Sequence, residues 1–234
     1  MKIFAVDTSA KCASVAITED GVIRGEFFLN CMLTHSETLM PMTQLLFKSC
    51  RTAPAEVDCF AVNCGPGSFT GIRIGVAEIK GMAYALNKPC VAVSALESMA
   101  YNFQPCDAYI CCVMDARCSQ VYNALFEVME NGVVRVCEDR ALSIEELTEE
   151  LKTLDRKIIL VGDGAELCYN KMKTELSTVE LSPENIRYQK ASGVCMAAES
   201  KYNEGKTLTS SELMPTYLRL PQAQRELMAK SKNK

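Results

Sequence analysis

Short apolar runs alternate with longer amphipathic ones along this chain, and their order repeats. Lys2–Val6 reads as a buried strand, and Ala13–Ile17 and Val22–Leu29 as two more, joined by the hairpin signal Asp20-Gly21. A helix is predicted over about Ser36–Ser49, a strand over Val57–Val62, a helix over Ile72–Leu86 and a strand over Pro89–Val93. Ser94-Ala95-Leu96-Glu97 then reads as a capping box that opens a third helix. The second half starts again with strands at Ala108–Met114, Val121–Val128 and Val133–Val136, the last two around Asn131-Gly132. A capping box at Ser143-Ile144-Glu145-Glu146 opens a helix to about Thr153. A strand at Ile158–Val161, the turn Gly162-Asp163-Gly164, a helix at Ala165–Met172, a short strand near Val179 and a helix over Gly193–Tyr202 complete it. Each half reads βββαβαβα.

The repeated order predicts an α/β fold made of two duplicated lobes with a cleft between them. The boundary falls near Asn102-Phe103-Gln104-Pro105, giving lobes of residues 1–104 and 105–234, the second ending in a flexible basic tail from about 221. Asp7 closes the first strand of one half and Asp115 the first strand of the other. Ligand sites of open α/β sheets form beyond the carboxyl ends of the strands, where these two aspartates are expected.

One loop stands out within this plan. Cys64-Gly65-Pro66-Gly67-Ser68-Phe69-Thr70-Gly71 lies between an apolar strand and a long helix. Free N–H groups and a helix dipole at such a junction favour anions, so the loop can be a phosphate cradle. It matches neither standard nucleotide pattern: Thr70 occupies a position where G-x-G-x-x-G needs glycine, and no lysine follows until Lys80. The other reading makes Gly65, Pro66, Gly67 and Gly71 a structural turn that lets a helix pack closely on a sheet.

Composition narrows the class. The chain has 234 residues, 48% hydrophobic and 23% charged, with a net charge of -4, which argues against a protein that grips nucleic acid strongly by itself. No apolar run approaches a membrane span, and the first residues read as a strand rather than a signal peptide, so a cytoplasmic protein is expected. The thirteen cysteines form no C-x-x-C pair and sit mostly in apolar segments, which points to reduced, buried thiols rather than zinc sites or disulfides. The tail from Arg225 to Lys234, with four cations and one anion, reads as a solvated segment or, less simply, as a nucleic-acid contact.

The duplicated order resembles the ribonuclease-H-like fold of the actin, sugar kinase and Hsp70 superfamily. Within it, Asp7-Thr8-Ser9, His35-Ser36-Glu37, Gly65–Arg73, Val93–Glu97, Asp115-Ala116-Arg117 and Pro215–Arg219 resemble, in order along nearly the whole chain, the signatures of the TsaB (YeaZ) family. The resemblance implies a non-catalytic subunit in making threonylcarbamoyladenosine beside the tRNA anticodon. It implies as partners the catalytic paralogue TsaD and the ATPase TsaE, a homodimer when the chain is alone, and tRNA reached only through the complex. It implies no cofactor and no metal of the chain's own, ATP and metal belonging to the partners. A vestigial nucleotide or phosphate site at Asp7, Thr8, Ser9 and Asp115, with weak ATP or ADP binding, is the remaining alternative. The runner-up function is an ATP-dependent small-molecule kinase or phosphotransferase on the same fold.

The residues themselves speak against catalysis. The catalytic paralogue of the family carries H-x-E-G-H, two metal-binding histidines four apart. Here that stretch is His35-Ser36-Glu37-Thr38-Leu39, and His35 is the sole histidine, which suits capping or packing. Ser36 beside His35 is no dyad, because neighbours on a helix do not face one another. Arg117 stands where superfamily kinases need a small residue, as an anion contact or a surface ion pair.

The two first-half helices carry apolar residues over more of their circumference than one sheet contact requires. Leu39, Met42 and Leu46 on one, and Ile72, Val76 and Ile79 on the other, form a candidate partner interface. Ala77, Gly81 and Ala85 form a small-residue row suited to close helix approach. Burial of the same residues in a thick domain is the alternative. In the family, these two helices pair TsaB with TsaD or with itself.

Overall fold

A computed structural model describes residues 1–219, so the expected basic tail lies outside the described residues. The first half contains β1 (Lys2–Asp7), β2 (Ala13–Glu19), β3 (Val22–Leu29), α1 (His35–Ser49), β4 (Cys59–Gly65), α2 (Phe69–Leu86), β5 (Cys90–Ser94) and α3 (Ala95–Ala100). The second contains β6 (Ala108–Asp115), β7 (Gln120–Met129), β8 (Gly132–Arg135), β9 (Arg140–Ser143), α4 (Ile144–Leu151), β10 (Lys157–Val161), α5 (Ala165–Met172), β11 (Val179–Leu181), α6 (Glu184–Arg187) and α7 (Ala191–Asn203). One sheet runs β3-β2-β1-β4-β5, and the other runs β11-β10-β6-β7-β8, the same order read from the opposite end. The first three strands of each are antiparallel and the last two join in parallel, which is the duplicated ribonuclease-H-like fold.

Two elements were not legible in the apolar pattern. The strand β9 pairs with Gln120–Asn123 of β7, while β8 pairs with Phe126–Met129 of the same strand. Its sequence Arg-Ala-Leu-Ser has no apolar alternation to announce it. The helix α6 is a single turn after Pro183. Helix starts also moved: Thr34 caps α1, and Ser68 caps α2 through its side chain and the Gly71 N–H. At Ser94 the hydroxyl accepts from the Leu96 and Glu97 N–H groups. The Glu97 carboxylate does not fold back; it pairs with Arg135 and Lys201.

Side-chain size along each strand decides where the helices go. Successive strand residues point to opposite faces. On the first sheet Phe4, Val6, Val15, Ile17, Phe60 and Val62 share one face and pack under α1 and α2. The opposite face presents mostly small residues, including Ala5, Ala16, Cys59 and Ala61, and receives α7 through Ala191, Val194, Cys195, Ala197 and Ala198. The strands thus divide between the two sheets on either side of residue 104, while the helices are exchanged. The last helix of the second half lies on the first sheet, and α3 lies on the second sheet against Ile110, Cys112, Ala124 and Phe126. The chain after α7 also returns to the first lobe, where Leu208 pairs with Cys90 and Leu213 is fully buried. The layers run α1/α2, first sheet, α7 and α3, second sheet, α4/α5, and the exchanged helices pack against each other between the sheets.

Candidate functional site

Asp7 and Asp115 close equivalent strands, yet their environments differ. Asp7 is buried, with one carboxylate oxygen accepting from the Ser9 N–H and the Ser9 hydroxyl and the other from the Asn63 amide. Burial pushes its carboxyl above the ordinary range, against the pull of those hydrogen bonds. Thr8 and Ser9 are buried too, and the Thr8 hydroxyl donates to the Gly71 carbonyl at 2.7 Å. Asp115 is exposed and accepts the Arg117 N–H at 2.7 Å.

The glycine loop is filled by its own chain. A Cβ on Gly65 would overlap the Thr216 carbonyl, one on Gly67 the Ser9 carbonyl, and one on Gly71 the Thr8 carbonyl. Gly65 and Gly67 also hold φ of +127° and +153°, which side chains resist. The Ser68 N–H donates to the Ser9 carbonyl at 2.7 Å, so this loop and Asp7-Thr8-Ser9 lock into each other. These residues do not fit a nucleotide–metal site: Asp7, Thr8 and Ser9 are buried, and backbone occupies the close approaches the glycines permit. Of the four expected phosphate-site residues, Asp115 alone is exposed.

In the sequence Asp163 stands only as the middle residue of the turn Gly162-Asp163-Gly164. That turn puts it among Asp115 of its own lobe and Lys11 and Cys12 of the other, and pushes its carboxyl up to about 6. Burial is the main cause; the Asp115 N–H pulls it down and the Asp115 charge pushes it up. A usable signal was its position, since it matches Pro66 in the parallel loop of the first half. The stretch after Asp115 is held under tension: Arg117, Cys118 and Ser119 have φ of 63°, 55° and 55°, each costing about 1 kcal/mol outside glycine.

The His35 Nε2–H donates to the Ala10 carbonyl at 2.8 Å and ties the start of α1 to the loop after β1. Leu39, at the second histidine position, is buried in the core. Among the described residues no three His, Cys, Asp or Glu side chains are placed to hold a metal ion.

The expected interface residues are elsewhere than supposed. Leu39, Met42, Leu46, Ile72, Val76 and Ile79 all lie inside the first-lobe core. The wide apolar circumference is used up because α1 and α2 lie side by side on one sheet, joined by the Thr43 hydroxyl donating to the Glu78 carboxylate at 2.6 Å. What faces outward is the small-residue row, Ala77, Gly81 and Ala85, together with Tyr84 at 81% exposure, Met40 and Leu45. A Cβ on Gly81 would meet nothing within 4 Å, so nothing within the described chain requires glycine in the middle of this helix.

Known proteins share this architecture and sequence. Residues 30–227 match the family model described as TsaD: tRNA N6-adenosine threonylcarbamoyltransferase. The tRNA threonylcarbamoyladenosine biosynthesis protein TsaB of Bacillus subtilis is 30% identical over 96% of this chain and 96% of its own. The protein of the same name from Escherichia coli is 30% identical over 98% of this chain and 100% of its own. A crystal structure from Pseudomonas aeruginosa, described as similar to peptidase YEAZ, superposes with a TM-score of 0.81 at 25% identity, covering 93% of this chain and 99% of that one. Agreement in sequence over nearly the full length, on a shared fold, places the chain: it belongs to the TsaB family.

Proposed function

We propose that this chain is an accessory subunit in the biosynthesis of threonylcarbamoyladenosine in tRNA, supplying no catalytic group and acting by docking onto a TsaD-like catalytic paralogue. A TsaE-like ATPase completes the assembly, and a second copy of the chain takes the same face when the paralogue is absent. The observation that carries this reading is Gly81, exposed in the interior of α2 within the row Ala77, Gly81, Ala85 and near exposed Tyr84 of the same helix, while Met40 and Leu45 are exposed on α1. A helix-interior glycine costs about 1 kcal/mol, and a partner helix approaching closely would offset that cost. Exposed aromatic and methionine side chains are among the anchors that protein interfaces favour.

The test is Gly81→Arg. Nothing in the described fold resists the new side chain, so the variant should melt like the parent protein. It should lose TsaD-like partner binding by about a hundredfold or more, as a steric and charged block at an interface centre does. In a reconstituted mixture it should no longer support tRNA threonylcarbamoylation. Full binding and full modification by folded Gly81→Arg would move the docking face off α2.

A further inference from the structure

The segment from Leu213 to Arg219 begins in one lobe and ends in the other. Leu213 is buried in the first-lobe core, and the Lys80 ammonium donates to its carbonyl at 3.0 Å. The Thr216 N–H donates to the Cys64 carbonyl at 2.7 Å, at the end of β4, in the close approach that Gly65 permits. Tyr217 stacks on Phe69 with ring centroids 4.5 Å apart and an interplanar angle of 21°, while the Arg73 Nε–H donates to its hydroxyl at 2.7 Å. The next two residues change sides. Leu218 packs against the second-lobe cluster, and the Arg219 guanidinium donates to the Ala116 carbonyl at 2.9 Å.

We propose that residues 213–219 are a clasp across the mouth of the cleft, holding the glycine loop of one lobe to the Asp115–Ser119 turn of the other and so setting how far the lobes open. Geometry gives it leverage. The lobes share α3 and α7 between the sheets, where small-residue packing makes a close joint. The clasp joins the lobes beyond the carboxyl ends of β4 and β6, through the Cys64 and Ala116 carbonyls. It also grips Ala116, the residue next to the left-handed run at Arg117–Ser119.

Cys12 reports on the state of the cleft. It is 4% exposed and feels the charges of Asp7 from one lobe and Asp163 from the other. Alkylation of the intact protein by iodoacetamide, read for each cysteine by peptide mass spectrometry, tests the clasp. In Arg219→Ala, Cys12 should react about tenfold faster than in the parent, the change that about 1.4 kcal/mol produces. Cys59 and Cys195, buried in the first lobe away from the mouth, should keep their rates. Tyr217→Phe keeps the ring stack but loses the Arg73 hydrogen bond, so it should give a smaller rise at Cys12 alone. Arg219→Lys, which keeps a donor, should restore most of the protection. Equal Cys12 rates in parent, Arg219→Ala and Tyr217→Phe overturn the proposal. So does a joint rise at Cys12, Cys59 and Cys195, which reports loss of the whole fold rather than opening of the cleft.

Discussion

The α-carbon of Gly65 faces the carbonyl of Thr216 so closely that a methyl group cannot fit between them. Two residues far apart in the chain thus define one contact, and a loop that resembles an anion cradle serves as a seat for the chain's own C-terminal segment. Gly65→Ala should destabilise the protein by about 2–3 kcal/mol, from the strained φ and the overlap together. Gly81→Ala should do the reverse and stabilise by about 0.5–1 kcal/mol, because its helix position is open and an alanine loses less freedom on folding. Chemical denaturation of both variants checks the pair. Equal effects of the same sign would mean that the two glycines do not serve these different purposes.

Acidity offers a second test. Asp163 holds its proton up to about pH 6, whereas an unfolded aspartate releases it near 3.8. Between these values the folded state binds more protons than the unfolded one, so this residue makes stability fall as pH rises from about 4 to about 6. Above that window its full cost is present, no more than about 3 kcal/mol for a two-unit shift. Asp163→Asn should therefore be more stable than the parent at pH 7, with the advantage shrinking at pH 5 and vanishing near pH 4. A difference between the two proteins that does not change with pH would contradict the buried, neutralisable carboxyl.

Charge placed on α1 should separate its two faces. Leu46 is buried at 1% exposure, and Leu46→Glu should cost several kcal/mol and abolish a cooperative melt at 37 °C, since the new carboxylate has no partner in the core. Val76→Glu on α2 should fail in the same way. Leu45 is 54% exposed, so Leu45→Glu should keep the fold and weaken partner binding by about tenfold or more. Circular dichroism melts and a binding titration distinguish the outcomes. A stable, folded Leu46→Glu would show that this side chain does not lie under α1.

Thiol chemistry should sort the cysteines by depth. Burial holds Cys59, Cys64 and Cys168 near a pKa of about 12 and pushes Cys111 and Cys112 well above the ordinary thiol value. Cys31, Cys106 and Cys118 are exposed. At pH 7.5 a disulfide-exchange reagent should consume these three in its fast phase and reach Cys59, Cys64, Cys111, Cys112 and Cys168 only as the protein unfolds, because the thiolate is the reacting form. Fast reaction at Cys111 or Cys112 would contradict the packing of the second sheet.

Much of this protein was legible in its local patterns. Period-two apolar runs and Asp-Gly and Asn-Gly hairpins marked most strands, and their repetition exposed the duplication with Asp7 and Asp115 at equivalent strand ends. Those signals are local because a strand's alternation and a turn's φ values are properties of a few adjacent residues. The weak elements were the ones without such a signal: β9 is a strand only because β7 has a free partner edge at Gln120–Asn123.

Tertiary structure decided everything that depends on which face of an element meets which neighbour. The apolar girth of α1 and α2 has the same periodicity whether a side chain faces the sheet or a partner, so the sequence left Leu46 and Leu45 undistinguished; side-by-side packing on one sheet buries the first and exposes the second. A row of small residues similarly permits close approach without naming what approaches, and α7 settles on the first sheet because that sheet's second face is lined by alanine and cysteine. Gly65 is the sharpest case. Its local sequence fits a phosphate or a backbone equally well, since both need an absent Cβ. The chain's return as far as Thr216 fills the space, and only the folded path of the residues in between brings that carbonyl to the loop.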